Sequence, residues 1–119
     1  MKRDMDLVRS ILIEVEKQPS GFASQEIHLE GYTDEQVGYH ASIMHEAGLV
    51  HAVDVTVLSG TSPQAVITRL TWHGHEFLDA AREPTRWQQA RDLVDRFSGA
   101  PIQVWTHVLT ELVKRSVGL

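Results

Sequence analysis

The chain contains the pentapeptide Glu46-Ala47-Gly48-Leu49-Val50, in which a helix ends and a β-hairpin begins. Gly48 can take the left-handed backbone conformation that reverses the chain, and Leu49 can make the apolar contact of a Schellman motif. Two runs rich in valine, isoleucine and threonine follow at residues 50–58 and 65–71, with loop-forming residues between them. We expect these two runs to pair as an antiparallel hairpin.

The helix before the pentapeptide has a clear beginning. Thr33-Asp34-Glu35-Gln36 matches a capping box, in which the Thr hydroxyl and the Gln amide satisfy free backbone donors at the start of a helix. Val37, Ala41 and Met44 then recur at helical spacing. His40 lies on the same side of the helix, so we expect it to be buried with them.

The remaining elements follow from periodicity and from stop signals. Helical spacing predicts helices over residues 4–17 and 72–82, one that opens at Pro84, and one that follows Pro101. The segment Glu26-Ile27-His28-Leu29-Glu30 alternates polar and apolar residues, which predicts a short strand. Apolar stripes on or beside the predicted helices contain Trp72, Trp87, Phe97 and Trp105, and we expect the three tryptophans to pack in the core.

The order of elements predicts the fold class. Helix, strand, helix, β-hairpin and helix in succession indicate an α+β fold of the winged-helix type, followed by two additional C-terminal helices. We expect residues 1–82 to form the winged-helix-like core. Residues 83–119 are expected to form a helical extension packed on that core in one compact domain.

Several segments resemble a family of short bacterial and phage proteins catalogued as domain of unknown function 2513. The resemblance covers residues 1–97 and is most specific in Arg69-Leu70-Thr71-Trp72-His73-Gly74-His75-Glu76-Phe77-Leu78-Asp79. Further matching segments are Met1–Arg9, Gly31-Tyr32, Tyr39-His40 and Glu46–Leu49. The family has no activity to transfer, and the resemblance implies a winged-helix-like fold and a bacterial or phage origin.

Charge is distributed unevenly along the chain. The net charge is −5, and residues 18–68 contain no lysine or arginine but six acids: Glu26, Glu30, Asp34, Glu35, Glu46 and Asp54. Duplex DNA is bound mainly through lysine and arginine side chains that replace phosphate counterions. The part of a winged helix that normally faces DNA therefore lacks the charge that this binding needs.

The outward side of the predicted helix 33–47 favours a protein partner instead. Tyrosine is enriched in interface hot spots, and an acidic surface complements a basic one. The sequence predicts a non-enzymatic interaction or regulatory protein that binds another protein through an acidic face. The candidate contact residues are Asp34, Glu35, Tyr39, Ser42, His45 and Glu46.

The alternative is a DNA-binding transcriptional regulator. A helix-turn-helix needs a supporting helix just before the recognition helix, and residues 21–25 leave room for one turn at most. The loop of the predicted hairpin, residues 59–64, offers no cation. In this alternative the contacts come from Lys2, Arg3, Arg9, Arg86 and Arg91.

Motifs of catalysis and metal binding are missing from the sequence. The chain has no cysteine, no Gly-x-Ser-x-Gly elbow and no glycine-rich phosphate loop. His73-Gly74-His75-Glu76 gathers possible zinc ligands, but zinc needs three or four that converge. We expect no enzyme activity, no cofactor and no metal.

Location and oligomeric state are also expectations. No apolar run approaches the roughly 20 residues of a membrane span, and no signal peptide follows Met1. Together with the lack of cysteine, this predicts a cytoplasmic protein without membrane contact. The last helix has an apolar stripe that either packs on the first helix or pairs with its copy, and we favour a homodimer.

Overall fold

The computed structural model describes residues 1–23, 26–58, 60, 62–96 and 99–118. The chain divides into two compact units, Met1–His75 and Glu76–Leu119. The described residues form five helices and one two-stranded antiparallel sheet, which confirms the α+β class. The boundary that we expected after residue 82 stays a prediction.

The first unit combines two helices and the beginning of a third with the two-stranded sheet. It contains α1 (Met5–Glu16), α2 (Asp34–Glu46), β1 (Val50–Asp54), β2 (Ala65–Leu70) and the first residues of α3 (Trp72–Ala81). Helix α1 packs against α2 and β2, and α2 packs against both strands. The buried side of α1 consists of Leu7, Val8, Ile11, Leu12 and Val15.

Both ends of α2 form as local sequence chemistry predicts. At the start, the Thr33 hydroxyl accepts from the Gln36 N–H at 3.1 Å, and the Gln36 amide accepts from the Thr33 N–H at 2.8 Å. At the end, Gly48 has a φ of 77°. The Leu49 N–H donates to the Met44 carbonyl at 3.0 Å, as a Schellman motif requires.

The hairpin is shorter than the two apolar runs. Its strands end at Asp54 and Leu70, and the register shifts between His51 and Ala52. The Val55 N–H still donates to the Gln64 carbonyl at 2.9 Å beyond the sheet. Of the predicted loop, Ser59 and Thr61 lie outside the described residues.

The predicted strand at Glu26–Glu30 does not form. Its residues alternate between exposed and half-buried, as the sequence pattern indicates, but they have no ladder of hydrogen bonds to a neighbouring strand. A backbone bond to β2 occurs earlier in the chain, where the Ala23 N–H donates to the Thr68 carbonyl at 2.8 Å. Alternation fixes which residues face inward, whereas a strand also needs a partner in register. Between α1 and α2 the described residues form no helix; Ser24 and Gln25 lie outside them.

The second unit has an aromatic core. It contains the rest of α3, α4 (Pro84–Asp95) and α5 (Ile102–Ser116). The rings of Trp87 and Trp105 stack with centroids 4.8 Å apart, and Phe77 meets Trp87 edge-on at 6.4 Å. Phe97, the last member of the predicted α4 stripe, lies outside the described residues.

The expectation that Trp72 packs in the core is wrong. Its side chain is 81% exposed, whereas Trp87 and Trp105 are 4% and 3% exposed. Trp72 is the first residue of α3, and the buried residues of that helix follow two, five, six and nine positions later. At about 100° per residue, these positions lie on the opposite side of the helix from Trp72.

Candidate functional site

One side of α2 carries four of the predicted contact residues. Glu35, Tyr39, Ser42 and Glu46 follow one another at spacings of four, three and four, so they form one stripe along the helix. Glu46 is exposed and the other three are half-buried. The other side of the helix is buried and consists of Val37, His40, Ala41 and Met44. We call the stripe of Glu35, Tyr39, Ser42 and Glu46 the acidic face.

The two remaining predicted contact residues flank the acidic face. Asp34 is exposed, and its Oδ1 accepts from the His28 Nδ1–H at 2.9 Å. His45 is also exposed, and its Nδ1–H donates to the Val50 carbonyl at 3.2 Å. The structure thus brings four of the six residues onto one stripe and gives the other two local hydrogen bonds.

His40 fastens α2 to the start of α1. Its Nε2 accepts from the Asp4 N–H at 2.9 Å, so this nitrogen carries no proton. The proton is therefore on Nδ1, which donates to the Gln36 carbonyl at 2.8 Å. The side chain is 1% exposed. The sequence predicted the burial of His40, but not this bridge between two helices.

Asp4 also ties the residues before α2 to α1. Its Oδ1 accepts from the Asp6 and Leu7 N–H groups and caps α1, while the Tyr32 hydroxyl donates to its Oδ2 at 3.4 Å. Burial raises the pKa of the Tyr32 hydroxyl, and the negative charges of Asp4 and Asp6 raise it further. Tyr32 is thus held as a neutral donor beside the start of α2.

The hairpin loop lies over the first half of α2. The Ser62 hydroxyl donates to Glu35 Oε1 at 2.7 Å, so one carboxylate of the acidic face is oriented by the loop. The side chain of Gln64 lies against Gly38, where a side chain larger than hydrogen has little room. The hairpin therefore bounds the N-terminal half of the acidic face.

A cleft opens between residues 26–28, α2 and the hairpin. Its cavity volume is about 70 Å³. Its aliphatic lining residues are Ile27, Val37, Ala41, Val55, Ala65, Val66 and Ile67, and its polar ones are Glu26, His28, Asp34 and Gln64. Sequence reasoning missed this cleft; its one signal was the alternation of residues 26–30, which places Ile27 inward.

The described end of the hairpin is apolar and exposed. Val53, Val55, Val57 and Leu58 are all at least 44% exposed. This surface was also missed, although the run of valines that continues past the strand was visible in the sequence. The described residues of this end, 53–58, 60 and 62–64, include no lysine or arginine, the side chains through which a DNA-binding wing contacts phosphates; the exposed Arg69 lies toward the other end of β2.

The basic residues of the alternative function divide between the two units. Lys2 and Arg3 are exposed and Arg9 is half-buried in the first unit. In the second unit, Arg86 donates from Nε to the Ala80 carbonyl at 2.7 Å and from a terminal nitrogen to the Asp79 carbonyl at 3.3 Å. Arg86 thus satisfies carbonyls at the end of α3.

Arg91 has a partner on its own helix, because a terminal nitrogen of its guanidinium donates to Gln88 Oε1. Arg86 and Arg91 therefore bind groups of this chain. A contact with phosphate must compete with these hydrogen bonds.

The described residues include neither a metal-binding cluster nor a membrane-spanning helix. Within the described ranges, no group of three or more His, Asp or Glu residues could hold a metal ion. No helix in the described part of the chain combines the length and the apolar character needed to cross a membrane.

Comparisons with known proteins give a family but no structure. A family model described as "Hypothetical protein (DUF2513)" matches residues 2–101. A curated relative from Haemophilus influenzae, described as "Uncharacterized protein", is 36% identical to this chain over 102 residues. The alignment covers 79% of this chain and 79% of the relative. No solved structure matches, so the winged-helix likeness remains a prediction.

Proposed function

Because this chain belongs to the DUF2513 family, whose description assigns no activity, we propose its function from its surface. We propose that it is a non-enzymatic, winged-helix-type regulatory protein that binds a basic surface of another protein. The binding surface is the acidic face of α2, and the flanking residues Asp34 and His45 extend it. The proposal includes a cytoplasmic location.

The observation that carries this proposal is the alignment of the acidic face. Its stripe has a carboxylate at each end, Glu35 and Glu46, and an aromatic ring between them at Tyr39. No lysine or arginine occurs in residues 18–68, and the Glu35 carboxylate accepts from the Ser62 hydroxyl. A stripe of this kind attracts a basic protein surface, and a half-buried tyrosine supplies contact area.

The same charges disfavour duplex DNA as the ligand of this face. Two unit charges of like sign about 4 Å apart repel by about 1 kcal/mol in water, and each phosphate that approaches the face meets this repulsion. The hydrogen bonds of Arg86 and Arg91 within the second unit count in the same direction.

Affinity capture from a bacterial lysate tests the proposal. The wild-type chain is compared with Glu35→Gln/Tyr39→Ala/Glu46→Gln and with the control Glu76→Gln/Asp95→Asn, which removes the same number of carboxylates elsewhere. Proteins retained by the wild type and the control but lost by the triple variant are purified. We expect their Kd, measured by calorimetry, to rise at least tenfold in the triple variant and to stay within twofold in the control, as for a hot-spot interface.

DNA binding provides the contrary outcome. A labelled duplex of about 20 base pairs is titrated at about 50 mM salt and again at higher salt. Tight binding that falls steeply with salt, and that weakens in Arg86→Ala or Arg91→Ala, supports the DNA-binding alternative and contradicts the protein partner.

A further inference from the structure

The cleft beside the acidic face has aliphatic walls from three parts of the first unit. Ile27 comes from the extended segment, Val37 and Ala41 from α2, and Val66 and Ile67 from β2. Such walls accept a chain of methylene groups. They offer little to a ligand that is polar throughout.

The mouth of the cleft is acidic. Glu26 and Asp34 line it and are both exposed, and Asp34 accepts from His28. In the described part of the chain, the structure records no hydrogen bond for the Glu26 carboxylate. The same is true of the side-chain amide of Gln64, whose backbone groups are bonded to Val55 and Thr56. Acceptors are therefore available around the opening.

Among the described residues that line the cleft there is no lysine or arginine. An anion is repelled by the two carboxylates, and a wholly apolar ligand makes no use of them. A metal ion lacks a converging set of ligands in the described ranges. Lysine and arginine side chains combine an alkyl stem with a terminal cation, and they bury the stem while the charge stays near water.

We infer that this cleft binds the side chain of one lysine or arginine from the partner protein. The stem lies against the aliphatic walls, and the cation meets Glu26 and Asp34 at the mouth. The inference rests on the proposed function and deepens it, because it assigns one basic side chain of the partner protein to a defined subsite.

Short peptides test the ligand chemistry directly. The ¹⁵N-labelled chain is titrated with acetyl-Gly-Lys-Gly-amide and with the same peptide containing norleucine, which keeps the stem and removes the charge. Acetyl-Gly-Arg-Gly-amide and its citrulline counterpart form the second pair. We expect the amide resonances of Ile27, Val37 and Gly38 to shift and to reach saturation. We expect the neutral peptides to bind at least threefold more weakly than the charged ones.

Variants of the protein separate the charge of the mouth from the shape of the cleft. We expect Glu26→Gln and Asp34→Asn each to lower the affinity for the cationic peptides about two- to fivefold, as for an exposed ion pair. Glu30→Gln is the control, since it removes one charge four residues from Glu26 and outside the lining. Gly38→Ala narrows the cleft, because the new Cβ meets Gln64 Oε1 at 2.9 Å and pushes a flexible side chain.

The outcomes distinguish the inference from the proposed function. The inference is overturned if the norleucine peptide binds as tightly as the lysine peptide. It is equally overturned if Glu30→Gln lowers the affinity for the lysine peptide as much as Glu26→Gln does. It is also overturned if a captured partner depends on Tyr39 but is indifferent to Glu26, Asp34 and Gly38, and the proposed function then stands. If the lysine peptide binds in the cleft while no captured protein depends on the acidic face, the cation preference stands and the proposed function falls.

Discussion

The carbonyl oxygen of Leu49 occupies the space that a Cβ atom on Gly74 would need. Leu49 lies between α2 and β1, and Gly74 lies in the first turn of α3. The same carbonyl accepts the Thr71 N–H at 3.1 Å. The two ends of the hairpin therefore close against each other through backbone atoms, and a side chain at residue 74 has no flexible neighbour to displace.

Gly74→Ala is expected to destabilise the protein by at least about 1–3 kcal/mol, the usual cost of overpacking. The free energy of unfolding is measured from urea denaturation followed by circular dichroism. Gly21→Ala is the control, because a Cβ at residue 21 meets nothing within 4 Å. Equal stability of Gly74→Ala and the wild type would show that the contact between Leu49 and Gly74 is not as close as described.

His40→Leu is expected to lower the free energy of unfolding by about 1–3 kcal/mol. Leucine fills much of the buried volume but leaves the Asp4 N–H without its acceptor. His107→Leu is the control, since His107 is exposed on α5, and we expect a change of no more than about 0.5 kcal/mol. The same urea series measures both, and a neutral His40→Leu would contradict the bridge between α1 and α2.

Tyr32 is expected to ionise at a higher pH than an ordinary tyrosine, because burial and then the charges of Asp4 and Asp6 raise its pKa. In a Tyr39→Phe background it is the only tyrosine, so the phenolate absorbance reports its pKa alone. Asp6→Asn should move this pKa back toward its ordinary value, and Asp95→Asn should leave it unchanged.

The raised pKa of Tyr32 also predicts a pH dependence of stability. The folded state holds the phenolic proton more tightly than the unfolded state, so the stabilisation is complete below the ordinary pKa. It is lost as the pH rises through the raised pKa of the folded protein. Unfolding free energies measured from neutral to alkaline pH should therefore fall more steeply in the wild type than in Tyr32→Phe; parallel curves would argue against the shift.

The tryptophans should differ sharply in their effect on stability. Trp105→Ala removes a ring stacked on Trp87 and is expected to cost about 3–5 kcal/mol. Trp72→Ala changes an exposed side chain and is expected to stay within about 0.5 kcal/mol. Fluorescence provides an independent check: Trp72→Phe should shift the mean emission to shorter wavelength, since it removes the solvent-exposed indole.

Residues whose structure depends on near neighbours were predictable. The capping box of Thr33 and Gln36 and the Schellman motif at Gly48 form as the sequence indicates, because each is closed by hydrogen bonds within a few residues. The burial of His40 followed from helical spacing. The four residues of the acidic face likewise share a stripe because the helix repeats every 3.6 residues.

Features that depend on residues far apart in the chain could not be predicted from the spacing of residues in the sequence. Glu26–Glu30 has the alternation of a strand without a strand beside it, and Trp72 has the hydrophobicity of a core residue on the outer side of α3. The cleft exists because residues 26–28, α2 and β2 meet in space, although they are far apart in the chain. Local rules determine the conformation of each segment, whereas exposure and concavity are properties of how segments pack.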